Sequence, residues 1–206
     1  MVDERIVLVE GNDDLHAIIH VLSKRGAFVE GEIKFVDSKG WDNLIASIPV
    51  RLKSSSHRVI GIIADSDNVI EQRWSDICEK LEPEGFGPFP EMPPDGGFVA
   101  RGDDNRLVAV WLMPNNRDNG ALEDFLLSLI VPSDPVLGKA TNVVDGLDAT
   151  EKRFGPTGIK KAVVHTYLAW QESPGRPLGL AVNCNYFDAR AANALDFESW
   201  YRQLTV

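Results

Sequence analysis

The chain has 206 residues, 44% of them hydrophobic and 25% charged, with a formal net charge of −10. That length suits one domain with a small appendage, and the hydrophobic share is enough to fill a core. The acidic balance excludes a broad basic surface for loose nucleic-acid binding, because phosphate contacts need Lys and Arg. It leaves room for a local basic groove, or for a cation that reverses the sign of an acidic pocket.

The amino-terminal stretch MVDERIVLVE lacks the charge and length pattern of a signal peptide, and no apolar run reaches membrane-spanning length. A soluble cytoplasmic protein with no membrane contact is expected. Residues 5–9, Arg-Ile-Val-Leu-Val, are apolar on both faces and predict a central parallel strand. Glu10-Gly11-Asn12-Asp13-Asp14 breaks it. Leu15, Ile18, Ile19 and Leu22 then recur at helical spacing up to Gly26. A second strand is predicted over Ile33 to Val36, and a second helix through Trp41, Leu44, Ile45 and Ile48, stopping before Pro49. Val59 to Ala64 is the strongest strand and ends on Asp65-Ser66-Asp67.

Ile70 to Leu81 carries a helical stripe of Trp74, Ile77, Cys78 and Leu81. Residues 82–97 hold so many Pro and Gly that an irregular surface segment is expected. Phe98 to Ala100 and Leu107 to Met113 read as strands joined by the turn Gly102-Asp103-Asp104-Asn105. Ala121 to Ile130 reads as a helix. Residues 132–156 are loop-prone, with a helix placed inside Val143 to Phe154. Thr157 is expected to cap a helix running from Gly158 to about Glu172. After a break at residues 173–177, a terminal helix holds Phe197, Trp200, Tyr201 and Leu204. The two cysteines, Cys78 and Cys184, lie in no CxxC pattern. Two buried reduced thiols are expected rather than a zinc site or a disulfide.

Strands alternating with helices argue an α/β fold: an open, mostly parallel sheet of at least four strands flanked by helices. Residues 1–130 would form this domain, and residues 131–206 a helical extension packed on it. In open α/β sheets ligands bind beyond the carboxyl ends of the strands. Glu10 and Asp65-Ser66-Asp67 both fall there. Distant acids thus meet on one rim, with the strands ending at Glu10 and Asp65 expected to be adjacent and parallel.

LVEGNDD (residues 8–14) and IIADSD (residues 62–67) resemble the two signature motifs of the Toprim domain. That domain is shared by topoisomerases, primases and the overcoming-lysogenization-defect nucleases. By motif order the resemblance covers roughly the first two-thirds of the chain. The later segments LMPNNRDNGALEDFLL (112–127) and KKAVVHTYLA (160–169) resemble a group of small bacterial Toprim-like proteins, the DUF3226 type. The resemblance implies a Mg²⁺ site, with Mn²⁺ as a substitute, built on Glu10, Asp65 and Asp67. In the nuclease branch it implies further acids, matched by Asp13 or Asp14 and by Glu123 or Asp124. It also implies a basic residue, for which Lys161 is the candidate and Lys160 the weaker one. The partner domains of topoisomerases and primases, and the ATPase domain of the larger nucleases, have no counterpart in these 206 residues.

The chemistry is coherent. Mg²⁺ takes oxygen ligands and keeps several waters, so one to three carboxylates suffice. It polarises phosphoryl oxygens, and a pair clamps the attacking and leaving oxygens. Gly11 permits close approach by a phosphate. Each residue also has a plainer role. Asp-x-Asp at a strand end makes turns, Asp13 and Asp14 suit helix caps, and Glu123 and Asp124 suit a first helical turn. His16 and His20, four apart on one helix, fit a surface pair better than a zinc site.

Three functions follow. The first is a Mg²⁺-dependent phosphodiester-cleaving enzyme of nuclease type, acting on nucleic acid or a nucleotide. The second is a non-catalytic Toprim-like module that binds metal or nucleotide in assembly or regulation. The third is a phosphoacceptor domain, imitated by Asp13-Asp14, Asp65 and Lys161, which leaves Glu10-Gly11 unexplained.

Overall fold

A computed structural model of the protein describes residues 4–54 and 56–206. Five strands form one sheet: β1 (Glu4–Val9), β2 (Lys34–Asp37), β3 (His57–Asp65), β4 (Phe98–Arg101) and β5 (Leu107–Met113), in the order β2-β1-β3-β5-β4. All neighbours are parallel except β4, which runs antiparallel to β5. β1 lies beside β3 with Val9 opposite Ile63, so the strands leading to Glu10 and Asp65 are adjacent and parallel, as expected.

Alternation along the strands builds two cores, one on each face. Ile6, Leu8, Ile60, Ile62, Val108 and Val110 face the helices α2 (Trp41–Leu52) and α3 (Ile70–Leu81). Val7, Val9, Val59, Ile63, Ala109 and Trp111 face the other side. There they meet α1 (Asn12–Lys24), α4 (Leu122–Ser128), α6 (Ile159–Ala169), α7 (Leu178–Asn183) and α8 (Ala192–Arg202). α5 (Pro135–Asp145) contributes Ala140 and Val144, the first to this same core. The helices beyond residue 130 therefore complete the core of the sheet. Trp111 meets Phe197 and Trp200 with ring centroids 5.2 and 5.8 Å apart. The absent side chain of Gly61 makes room for this layer. A Cβ there would lie 2.8 Å from Val7 Cγ2 and 3.0 Å from Leu204 Cδ1.

Four local expectations need correction. α2 continues through Pro49, because the proline sits in its last turns, sacrifices only the bond to the Ile45 carbonyl, and lets Leu52 reach the core. The helix placed inside residues 143–154 lies earlier, at Pro135–Asp145. Asp134 caps it by accepting from the Val136 and Leu137 amides, and Pro135 opens it. Thr157 caps nothing; residues Pro156–Gly158 form a 3₁₀ turn and α6 starts at Ile159. Cys184 is exposed, and it and Cys78 are free thiols.

Residues 82–97 are irregular beyond a 3₁₀ turn at Glu82–Glu84, as expected. They are nonetheless anchored. Phe86 is buried, Phe89 packs on Phe98, and Trp74 Nε1 donates to the Pro90 carbonyl at 2.9 Å.

Candidate functional site

The parallel register brings the carboxyl ends of β1, β3 and β5 to one rim. Three loops close over it, and their hydrogen bonds fix the acids. Glu10, the first residue past β1, turns its side chain across to β3, where Oε1 accepts from the Asp65 amide at 2.8 Å. Asp65 ends β3, and its Oδ1 accepts from the Leu122 amide at the start of α4, at 3.0 Å. One carboxylate thus ties β1 to β3, and the next ties β3 to α4.

The turn that follows is stitched to the loop after β5. Ser66 is fully buried; its Oγ donates to the Asp118 carbonyl at 2.9 Å and accepts from the Gly120 amide at 2.9 Å. The Asp67 amide donates to the Gly120 carbonyl at 2.8 Å. Asn119 Oδ1 accepts from the Ile70 amide at 2.8 Å, so that loop also caps α3. Buried Asn116 accepts from Leu112 and donates to Asp95, holding residues 112–120 against the preceding loop. These polar residues position the site and were missed by sequence reasoning. The density of Asn, Asp and Gly in residues 115–120 was the available signal.

A cleft of about 280 Å³ opens on the rim, lined by Gly11, Asp13, Asp14, Asp65, Glu123 and Lys161 among others. Four helix-borne candidates separate into two kinds. Asp14 turns inward over Gly11, with its Oδ2 3.1 Å from where a Gly11 Cβ would be, while Asp13 is exposed at the mouth. Neither is the N-cap of α1; Gly11 holds that position. Glu123 is buried and pairs with Lys161 Nζ at 3.1 Å. Asp124 points away, its Oδ2 accepting from the Ala121 amide at 3.0 Å, so it closes the first turn of α4. Lys160 lies 3.9 Å from Asp124 and is likewise outside the cleft.

Asp67 stands on the other flank. Its φ of 51° is in the left-handed region, and its side chain is half exposed and held by Arg73. The Arg73 guanidinium in turn lies over the Trp41 ring, 3.8 Å from the centroid. Trp41 reads from sequence only as a helix residue and Arg73 not at all, because only the fold brings α2 and α3 together at this rim.

The acids repel one another. Burial pushes the Asp65 carboxyl well above its usual range, and Asp14, Glu10, Glu123 and Asp67 push it further. Asp14 is pushed up to about 7 by burial first and then by Glu10 and Glu123. Glu10 is raised by burial, against the Asp65 amide and Arg73, which favour its charge. Lys161 is raised by its bond to Glu123.

Among the described residues, no three His, Cys, Asp or Glu side chains already stand in a metal-holding arrangement. The donor set nevertheless fits a hard divalent cation. Its donors are carboxylate oxygens only, partly buried, mutually repelling, and balanced inside the cleft by a single lysine. Side-chain rotation would be needed to close the ligand shell, since Arg73 holds Asp67 and Lys161 holds Glu123.

Among the described residues no helix is long and apolar enough to cross a membrane. No curated protein and no solved structure is similar enough to the chain to count as a match. A family model described as a protein of unknown function, DUF3226, matches residues 4–206, and the chain belongs to that family.

Proposed function

We propose that this chain is a Mg²⁺-dependent phosphodiester-cleaving enzyme of nuclease type, with a Toprim-like acidic site. One observation carries the reading: Glu10, Asp14, Asp65 and Glu123 gather from three separate segments at the carboxyl ends of two adjacent parallel strands, where burial first and their repulsion second raise Asp65 and Asp14. Such concentrated charge destabilises a fold unless a cation uses it. The likeness of residues 8–14 and 62–67 to the Toprim motifs points the same way.

Asp65, Asp14, Glu10 and Glu123 would hold the ion, with Asp67 joining once Arg73 lets it go. When bound, Mg²⁺ or Mn²⁺ supplies charge that polarises a phosphoryl oxygen and favours attack by water. Glu10 has a raised carboxyl and an Oε1 fixed by the Asp65 amide, which suits it to hold and pass a proton at the rim. Lys161, at the wall of the cleft, offsets charge that develops on the phosphate.

A second reading, a non-catalytic module that binds metal or a nucleotide, is favoured by the pairing of Asp67 with Arg73 and of Glu123 with Lys161. Both pairs satisfy the acids without any metal ion. The experiment is cleavage of single- and double-stranded DNA and RNA with Mg²⁺ or Mn²⁺, beside melting temperature with and without metal. Metal-dependent cleavage supports the enzyme. A metal-induced rise in melting temperature with no cleavage of any substrate supports the module.

Lys161→Ala is expected to slow cleavage by about tenfold, a small effect because its side chain is 61% exposed and screened by water. Rates at saturating substrate measure it. A loss as large as that from removing Asp65 would show that Lys161 does more than offset charge.

A further inference from the structure

We propose that Arg73 receives a phosphate group of the substrate, and that it becomes free to do so when the divalent cation draws Asp67 away from it; this rests on the cation site proposed above. Arg73 lies in the first turn of α3, and its guanidinium bonds the Asp67 carboxylate at the rim. It also lies close enough to Glu10 to favour the charge of that carboxylate. The ring of Trp41, the first residue of α2, supports the guanidinium with its centroid 3.8 Å away.

The two partners differ in freedom. The Asp67 side chain is 46% exposed and can swing towards a metal ion, whereas that of Arg73 is 17% exposed. Trp41, beneath the guanidinium, packs against the core formed with α2 and α3. Stacking on an aromatic face holds a guanidinium without using its N–H donors. Once Asp67 turns to the cation, Arg73 therefore stays at the rim with its fork of donors vacated.

Charge then decides what fills the fork. The ion engages Asp67 and Glu10 together, and these are the two carboxylates that balance Arg73. The helix ends beside it give no substitute, because α2 and α3 both begin at this rim and a helix start carries positive partial charge. A planar fork of donors fits an anion with two oxygens side by side, as a phosphate group presents. Lys161 stands across the rim, since α6 packs on one face of the sheet and α3 on the other. A phosphate over the cation would have lysine on one side and arginine on the other. The substrate class is thus a phosphate ester held by metal and Arg73 together, and without metal Asp67 blocks the arginine.

The test is a calorimetric titration of the full chain with adenosine 5′-monophosphate, which has no diester bond to cleave, in Mn²⁺ and in EDTA. Binding is expected in Mn²⁺, and binding weaker by about tenfold or more in EDTA. Arg73→Ala should weaken the Mn²⁺-dependent binding by about tenfold or more, and Arg73→Lys by less, because lysine keeps charge and loses the fork. Mn²⁺ itself should bind Arg73→Ala at least as tightly as the unmutated chain, which shows that the variant is folded. If alanine loosens α3, Arg73→Lys carries the same test, since it keeps a cation beside Asp67. Arg190→Ala, an exposed arginine paired with Asp188 elsewhere, should change nothing. With an oligonucleotide substrate, Arg73→Ala should raise KM by about tenfold and lower kcat less. No binding of the mononucleotide, equal binding with and without Mn²⁺, or Mn²⁺-dependent binding that survives both Arg73 variants unchanged overturns the role of Arg73. Metal-dependent cleavage beside any of these leaves the enzyme standing. A chain that binds the mononucleotide through Arg73 but cleaves nothing keeps the role of Arg73 and removes the enzyme.

Discussion

Asp65→Asn is expected to reduce Mg²⁺-dependent cleavage by at least about a hundredfold while leaving the fold intact. The substitution removes the charge at the centre of the cleft. It keeps an oxygen that can still accept from the Leu122 amide, so β3 stays tied to α4. Glu10→Gln should act alike, because a glutamine oxygen can still accept from the Asp65 amide. Neither variant should melt below the unmutated protein in EDTA, since each relieves repulsion among clustered acids. Cleavage rates with Mg²⁺, paired with melting curves in EDTA, check this. Cleavage that survives Asp65→Asn would remove Asp65 from the chemistry.

The second large effect is on stability against pH without metal. Asp14 holds its proton up to about pH 7 in the folded protein, against 3.8 for an ordinary aspartate. The unfolded chain therefore releases this proton first as pH rises, and the folded state binds more protons throughout the interval. Stability from this group is fully present below about pH 4 and falls between about pH 4 and 7. The loss is of order a few kcal/mol, because each pH unit across that interval costs at most about 1.4 kcal/mol and water reaches the site. Asp14→Asn cannot ionise, so it should melt about 5 °C or more above the unmutated protein at about pH 8 and equal to it near about pH 4. A difference that does not grow between these pH values would show that burial and the neighbouring acids do not hold Asp14 protonated.

The fold was legible where a physical signal pointed one way. β1 and β3 are apolar on both faces, so their central parallel placement could be read directly. The apolar runs ending in Leu8-Val9 and Ile62-Ile63 place Glu10 and Asp65 at the rim, where both stand. Legibility failed where two signals competed. In the stretch that became α5, the apolar Val143 and Val144 outweighed Asp134-Pro135, yet the cap and proline mark the true start. At Pro49 the proline outweighed Leu52, whose burial carries α2 onward.

Within the site the limit is angular. Asp13 and Asp14 differ by one residue, about 100° around a helix, and sequence does not fix the helix phase against the sheet. The same holds for Glu123, which enters the cleft, and Asp124, which turns back to the Ala121 amide. The pairing of Asp67 with Arg73 over Trp41 joins three segments and exists only once the sheet has formed.

The central claim is that these carboxylates share a divalent cation, and crystals grown with millimolar Mn²⁺ test it most directly through the anomalous signal of the metal. The account predicts a peak at the carboxyl ends of β1 and β3, within about 2–2.5 Å of Asp65 and of at least one of Glu10, Asp14 and Glu123. An ordered structure with no peak in this cleft, or with manganese bound only elsewhere, would contradict it.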